Sequence, residues 1–126
     1  MTATATTTVT TSNTAKAVGS GNLDVFATPM MIALMEEAAA NALSPSLEPT
    51  QSSVGTAINI EHTAASPVGA KITATATLTS LEGRKVTFDI IAHEIKNDTP
   101  SEIGKGTHTR FIIDAERFMA KLEEVK

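Results

Sequence analysis

Two acidic side chains and one histidine are the residues of this sequence whose type and position could support acid–base chemistry. Glu36 and Glu37 are adjacent in a segment of strong helix formers, and His62 ends a run that alternates like a β-strand. Neighbouring residues on a helix point about 100° apart, so the two glutamates lie in different environments. Glu37 shares its face with Asn41 and Ser44, whereas the face of Glu36 is apolar. Glu36 is therefore expected to face the protein interior.

His62 lies on a strand face that is otherwise apolar. Ile58, Ile60 and His62 fall at alternate positions, so their side chains point to the same side. A buried carboxylate without a partner is energetically costly, and His62 is the obvious partner for Glu36. Two structural explanations stay open, because His62 could be a core histidine bonded to a backbone carbonyl and Glu36 could lie in a subunit interface. The two anomalies together point to a functional pair.

Further polar or small residues have structural as well as functional explanations. Thr28 precedes Pro29 and is a good N-cap for the helix, which explains it without any chemistry. Gly55 can fill a packing gap in its strand or mark a place where a ligand approaches the backbone. His108 and Arg110 share one face of the last strand and are expected to face solvent. Spacing alone assigns none of them a role.

One helix and a series of strands must position these residues. The segment between Thr28 and Pro45 is apolar almost all round, which is typical of a buried helix. Four later segments have strand character, and their spacing predicts an antiparallel meander: 52–69, 71–81, 85–95 and 103–113. A short polar helix follows them. The resulting fold class is α+β, with an antiparallel sheet wrapped around one long apolar helix, which is a hot-dog fold.

The chain is expected to form a single domain over residues 1–126, because neither composition nor repeats suggest a boundary. About the first five residues are predicted to be a flexible tail, and Thr6–Thr11 a strand. The small polar residues 17–22 predict a loop.

Composition and charge exclude several classes of function. A net charge of −4, with no Trp and no Tyr, argues against a nucleic-acid partner. There are no cysteines, and the three histidines lie far apart, so no metal site is expected. No apolar run is long enough for a membrane span or a secretory leader, so a cytoplasmic protein is expected.

Four segments carry a family resemblance. DVFATPMMIALMEEAAANAL, SVGTAINIEHTAASPVG, LEGRKVTFDIIAHE and EIGKGTHTRF resemble, in this order, the fluoroacetyl-CoA thioesterase-like branch of the hot-dog thioesterases. The resemblance extends from about Thr11 to the C-terminus. It implies hydrolysis of acyl-CoA thioesters, with a coenzyme A thioester as substrate and no other cofactor. It also implies a homodimer or a higher oligomer built from it, with the site at the dimer interface.

The resemblance also implies which residues form the site. The catalytic residues would be Thr28 of FATP, Glu36 of LMEE and His62 of EHTAA, and the substrate site would include Gly55, Arg110 and Phe26. His62 would act as general base toward water or the Thr28 hydroxyl, with Glu36 orienting its imidazole. Whether Glu36 or Thr28 attacks to form a covalent intermediate stays open. Backbone N–H groups near Gly55 or at Pro29–Met31 would stabilise the oxyanion.

One departure from the family bears on the substrate. The fluoroacetyl-specific enzyme has phenylalanines before its FAT motif that form a lid, whereas residues 17–25 contain no aromatic side chain. The prediction is therefore a general short-chain acyl-CoA thioesterase with an open pocket. The alternatives are a hot-dog hydratase or dehydratase for enoyl thioesters, whose motif is absent, and a non-catalytic acyl-CoA binding module.

Overall fold

Segments in which apolar and polar residues alternate form the five strands of the protein. The computed structural model describes residues 1–124. The strands are β1 (Thr2–Thr8), β2 (Gln51–His62), β3 (Lys71–Glu82), β4 (Lys85–Lys96) and β5 (Thr99–Asp114). The helices are α1 (Ala15–Val18), α2 (Thr28–Leu43) and α3 (Ala115–Glu124), and a 3-10 turn over Ser44–Ser46 follows α2. All strand pairs are antiparallel, in the order β1-β3-β4-β5-β2.

The core lies between α2 and the concave side of the sheet. Along β4 the buried residues alternate with exposed or half-buried ones, as the sequence pattern predicts. They pack with the buried side of β3 and with one side of α2, and the large, fully buried side chains of these three elements include Phe88, Met31, Met35 and Ile72. The predicted α+β hot-dog arrangement, a curved antiparallel sheet around an apolar helix, is confirmed.

The predicted meander is correct for only three of the four strands. β3, β4 and β5 follow one another in the sheet, but β2 pairs with β5 and not with β3. Residues 63–70 make this possible, because they carry the chain from one side of the sheet to the other and are held by Thr63 N–H donating to the Ile103 carbonyl at 2.7 Å. β2 therefore lies at an edge of the sheet, with β5 as its neighbour.

The N-terminal prediction is wrong. Residues 1–5 are not a tail, since β1 begins at Thr2 and pairs with β3 over its whole length. Its small apolar residues alternate with threonines in phase with β3, so that Ala3 lies opposite Ala76 and Ala5 opposite Ala74. Ala5 is buried against the core. Burial of this alanine row explains why the strand begins earlier than the predicted Thr6.

Among residues 1–124, no helix combines the length and apolarity that crossing a membrane requires.

Candidate functional site

Thr28 and His62 form a hydrogen-bonded pair at one end of the concave surface. The Oγ1 of Thr28 lies 2.8 Å from Nδ1 of His62, the last residue of β2. Thr28 is the first helical residue of α2, and the N-cap position is occupied by Ala27, which makes no side-chain cap. The prediction that Thr28 caps the helix is therefore wrong. Its hydroxyl is available to the histidine because it is not bonded to the helix backbone.

A recess of about 250 Å³ opens at this pair, with Phe26, Thr28 and His62 in its lining. Phe26 is buried and forms part of the wall. The Nε2 atom of His62 is buried and has no hydrogen-bond partner among the described residues. Burial lowers the pKa of His62 from its ordinary value, and the backbone of Ala64 partly opposes this shift. The imidazole is thus favoured in its neutral form, which can accept a proton.

Glu36 belongs to a second group of side chains. Its Oε2 atom lies 3.7 Å from Nη1 of Arg110 and 3.9 Å from Nε2 of His108. Its side chain is 41% exposed, so it is not enclosed as the apolar helix face had suggested. Thr28 and Glu36 are eight residues apart on one helix, which separates them by about 12 Å along the axis. The predicted pairing of Glu36 with His62 does not form within one chain.

A β-bulge brings Gly55 to the same side of β2 as His62. Strict alternation would place these residues on opposite faces, but the register shifts between Gly55 and Ala57. A Cβ atom on Gly55 would lie 2.5 Å from Oε2 of Glu36 and 3.0 Å from Cε1 of His108. Side chains of this chain thus occupy the space beside the glycine, which is the packing explanation, and the approach of a ligand to Gly55 stays a prediction.

His108 and Arg110 are buried, so the prediction that they face solvent is wrong. They are 2% and 8% exposed, respectively. Arg110 donates from Nε to Oγ of Ser53 at 2.9 Å and from Nη2 to the carbonyl of Ser53 at 3.0 Å. Burial lowers the pKa of Arg110 from its ordinary value, and the charge of Glu36 opposes this shift. Beside them, Glu36, Gly55 and His108 line a recess of about 180 Å³.

The pattern of β5 explains why sequence reasoning missed this group. The inward positions before His108 are Gly104 and Gly106, so the buried face carries no apolar signal. A Cβ on Gly104 would lie 2.7 Å from the side chain of Met31, and one on Gly106 would collide with the β2 backbone at Asn59. In sequence, a strand with glycines at its inward positions cannot be told from a strand that faces solvent, because neither has a row of apolar residues. Ser53, which holds Arg110, had no distinguishing signal at all.

The predicted oxyanion donors at Pro29–Met31 are not free. Proline has no N–H, and the N–H groups of Met30 and Met31 both donate to the carbonyl of Ala27 at 3.0 Å. The backbone N–H of Thr28 makes no hydrogen bond within residues 1–124 and is the remaining donor at the start of α2. In the same part of the chain, no group of three or more His, Asp or Glu side chains is arranged to hold a metal ion.

Comparison with known proteins agrees with the fold and with the sequence motifs. A model of the FlK family, the fluoroacetyl-CoA-specific thioesterases, matches residues 9–116. The chain belongs to this family. The fluoroacetyl-CoA thioesterase of Streptantibioticus cattleyicolor is 48% identical over 101 residues, which cover 80% of this chain and 70% of that protein. Membership confirms the predicted class, an acyl-CoA thioester hydrolase with the hot-dog fold.

Solved structures of FlK thioesterases superpose on nearly the whole chain. The fluoroacetyl-CoA thioesterase FlK is 39% identical, with a TM-score of 0.88 over 100% of this chain and 95% of that one. A variant of the same enzyme in complex with fluoroacetate and CoA gives 40% identity and a TM-score of 0.87, with 98% of both chains covered. A thioesterase superfamily member from Thermus thermophilus, at 24% identity, has a TM-score of 0.89 over 99% of this chain and 90% of its own, which shows the shared fold.

Proposed function

We propose that this FlK-family protein hydrolyses short-chain acyl-CoA thioesters at a site shared by two copies of the chain. The observation that carries the proposal is the separation of two groups of polar side chains. Thr28 and His62 lie at the C-terminal end of β2. Glu36 and Arg110 lie beside Gly55, near the N-terminal end of the same strand. Each group has part of the chemistry expected of a hydrolytic site, and neither is complete alone.

The free edge of β2 suggests how the groups meet. β2 pairs with β5 on one side only, so its other edge carries unpaired backbone groups, and Ile58 in its middle is 36% exposed. A second copy could add its own β2 antiparallel about a two-fold axis near Ile58 and Asn59. His62 of one chain would then lie opposite Gly55 of the other. Since Gly55 contacts Glu36, the partner's Glu36 would approach the Thr28–His62 pair.

In this site His62 acts as the general base. When Nδ1 is unprotonated, it accepts from the hydroxyl of Thr28, whose oxygen can in turn accept from a water molecule, so that a proton leaves the water through the hydroxyl to Nδ1. The hydroxide forms a bond to the thioester carbon, the C=O electron pair moves to oxygen, and the free N–H of Thr28 is a donor for that oxyanion. Collapse breaks the C–S bond, and the imidazolium returns its proton to the coenzyme A thiolate. The partner's Glu36 stabilises the imidazolium in between.

Two kinds of support favour a short acyl group on coenzyme A. The recess beside Thr28 and His62 has a volume of about 250 Å³ and a buried aromatic wall at Phe26, which suits a small acyl chain. A structure 40% identical to this chain was solved with fluoroacetate and CoA. We also propose a cytoplasmic location, where coenzyme A thioesters are made and used, which cell fractionation can test.

Complementation between two inactive variants tests the shared site directly. His62→Ala and Glu36→Gln should each lose hydrolysis of a short acyl-CoA. If each site takes His62 from one chain and Glu36 from the other, a mixed dimer of the two variants retains one intact site. Random re-association after mild dissociation should therefore restore about a quarter of the wild-type activity.

Glu37→Gln is the matched control for Glu36→Gln, because Glu37 is the neighbouring carboxylate on the exposed side of α2. It should be active alone, and mixed with His62→Ala it should give only the activity of its own sites. No recovery from the His62→Ala and Glu36→Gln mixture would overturn the shared site. A monomer in light scattering at micromolar concentration would overturn the dimer.

A further inference from the structure

We infer that His108 is a positioning residue, which fixes the guanidinium of Arg110 and through it the carboxylate of Glu36. This inference rests on the proposed function and adds a residue to it. His108 is 2% exposed and contacts no part of the Thr28–His62 recess. Both of its ring nitrogens have partners, as buried polar atoms require, and one of these partners is the guanidinium of Arg110 that lies beside Glu36.

The two contacts of His108 require the same protonation state. Its Nδ1 atom lies 2.8 Å from the carbonyl oxygen of Ala57, so Nδ1 must carry the proton and donate. Its Nε2 atom lies 3.2 Å from Nη1 of Arg110, and a guanidinium has only donors. Nε2 must therefore be the acceptor. His108 is a neutral imidazole with its proton on Nδ1, and it presents a lone pair to the arginine.

This lone pair completes the fixation of Arg110. Two of the arginine's N–H groups are bonded to Ser53, one to its hydroxyl and one to its carbonyl. The third contact, to Nε2 of His108, defines the position of Nη1, the atom 3.7 Å from Oε2 of Glu36. Because the guanidinium is planar and rigid, three fixed bonds leave it one orientation. The positive charge of Arg110 then holds the carboxylate of Glu36 in one place. This carboxylate is half exposed and is bonded to no backbone group.

The β-bulge of β2 contains the first group in this series of contacts. The bulge lies between Gly55 and Ala57, and the carbonyl of Ala57 is the group that selects the tautomer of His108. Loss of the imidazole would leave Arg110 with its two bonds to Ser53 and free Nη1 to move away from Glu36. The effect should fall on kcat, because the carboxylate acts on the imidazolium that forms during the reaction, and KM should change little.

Two substitutions separate positioning from a structural role. In His108→Gln the side-chain oxygen can reach the place of Nε2 and accept from Arg110. In His108→Asn the amide nitrogen takes the place of Nδ1 and can donate to the Ala57 carbonyl, but no acceptor reaches the arginine. We expect His108→Gln to keep kcat close to that of the wild type, and His108→Asn to lower kcat about 10-fold or more with KM nearly unchanged.

Any of three results would overturn the inference: a lower kcat in His108→Gln than in His108→Asn, an equal loss of kcat in both variants, or no loss in either. Nitrogen-15 NMR of the unsubstituted protein gives a test that needs no activity and no folded variant. It should show His108 as the neutral tautomer protonated on Nδ1, and the other tautomer or an imidazolium at neutral pH would also overturn the inference. If the wild-type protein hydrolyses no short acyl-CoA, the proposed function fails. The NMR measurement still determines the tautomer of His108, so the two failures can be told apart.

Discussion

The carboxylate of Glu36 occupies the space in which a side chain at Gly55 would lie. An ideal Cβ on Gly55 falls 2.5 Å from Oε2 of Glu36 and 3.4 Å from Nη1 of Arg110. The first distance is too short for any real contact, so one of the two groups would have to move. The glycine thus keeps open the position from which Glu36 reaches the free edge of β2 and, in the proposed dimer, the partner's His62.

Gly55→Ala should therefore lower activity more than stability. The flexible end of Glu36 can move away from a methyl group, but it then leaves the place set by Arg110. The ring of His108, 3.0 Å from the same position, must shift by only a few tenths of an ångström, so the fold should persist. A displacement of this size should reduce kcat about 10- to 100-fold. Steady-state kinetics and thermal unfolding measure the two effects separately. Unchanged kcat, or a loss of kcat that merely follows unfolding, would contradict this account of the glycine.

His62→Ala should reduce turnover about 10²-fold or more, because it removes the proposed general base. His93→Ala is the matched control, since His93 lies on the side of β4 opposite the buried residues and lines neither recess. Both variants should remain folded. An active His62→Ala enzyme on a good substrate would exclude His62 as the base, whatever the result for the control.

Local pattern was sufficient to predict most of the fold. The apolar segment after Thr28 gave α2, and alternation gave the buried row of β4 that includes Phe88. These features depend on residues near one another in sequence. The neighbour of β2 depends instead on where residues 63–70 carry the chain, and alternation in a strand does not specify its partner. The early start of β1 could not be predicted for the same reason, since it depends on pairing with β3.

The sequence supplied candidate residues for the site but did not predict how the structure groups them. Glu36 and His62 were proposed from type and spacing and Thr28 from the motif, whereas the 12 Å or so along α2 that separates Thr28 from Glu36 was overlooked. The bulge at Gly55 could not be read from alternation, because one extra residue reverses the phase. His108 was assigned to solvent because glycines precede it on the inward face of β5. The exposed middle of β2 is the place where the proposed dimer would add a second chain.

The pH dependence of kcat/KM should reflect the burial of His62. Burial lowers the pKa of His62 below the ordinary 6.5, and a general base must be neutral to act. Activity should therefore be constant near neutral pH and fall only at a pH below 6.5, as the free enzyme's imidazole becomes protonated. A profile of kcat/KM against pH measures where this fall in activity occurs. In the proposed dimer the charge of the partner's Glu36 opposes the effect of burial on the pKa of His62. A fall in activity centred above pH 7 would contradict the prediction and would mean that this charge outweighs burial.

The last prediction concerns discrimination between acyl groups, and it starts from the segment between α1 and Phe26. α1 occupies Ala15–Val18 and ends at Gly19, where φ is +80°, so part of the predicted loop is helical. The remaining side chains up to residue 25 are small, polar or exposed, and Leu23 is 67% exposed. No aromatic ring from this segment covers the recess. A pocket whose mouth carries no bulky group cannot exclude water or press on the acyl α-carbon.

We therefore expect several short acyl-CoAs to be hydrolysed with comparable kcat/KM. The preference for fluoroacetyl-CoA over acetyl-CoA should not greatly exceed the difference in their intrinsic reactivity, although the relative from Streptantibioticus cattleyicolor is a fluoroacetyl-CoA thioesterase. Steady-state kinetics on both substrates measures the ratio. Ser20 lines the recess, and Ser20→Phe should raise the ratio by placing a ring at its mouth. A wild-type preference of several orders of magnitude would show that another part of the protein closes the pocket.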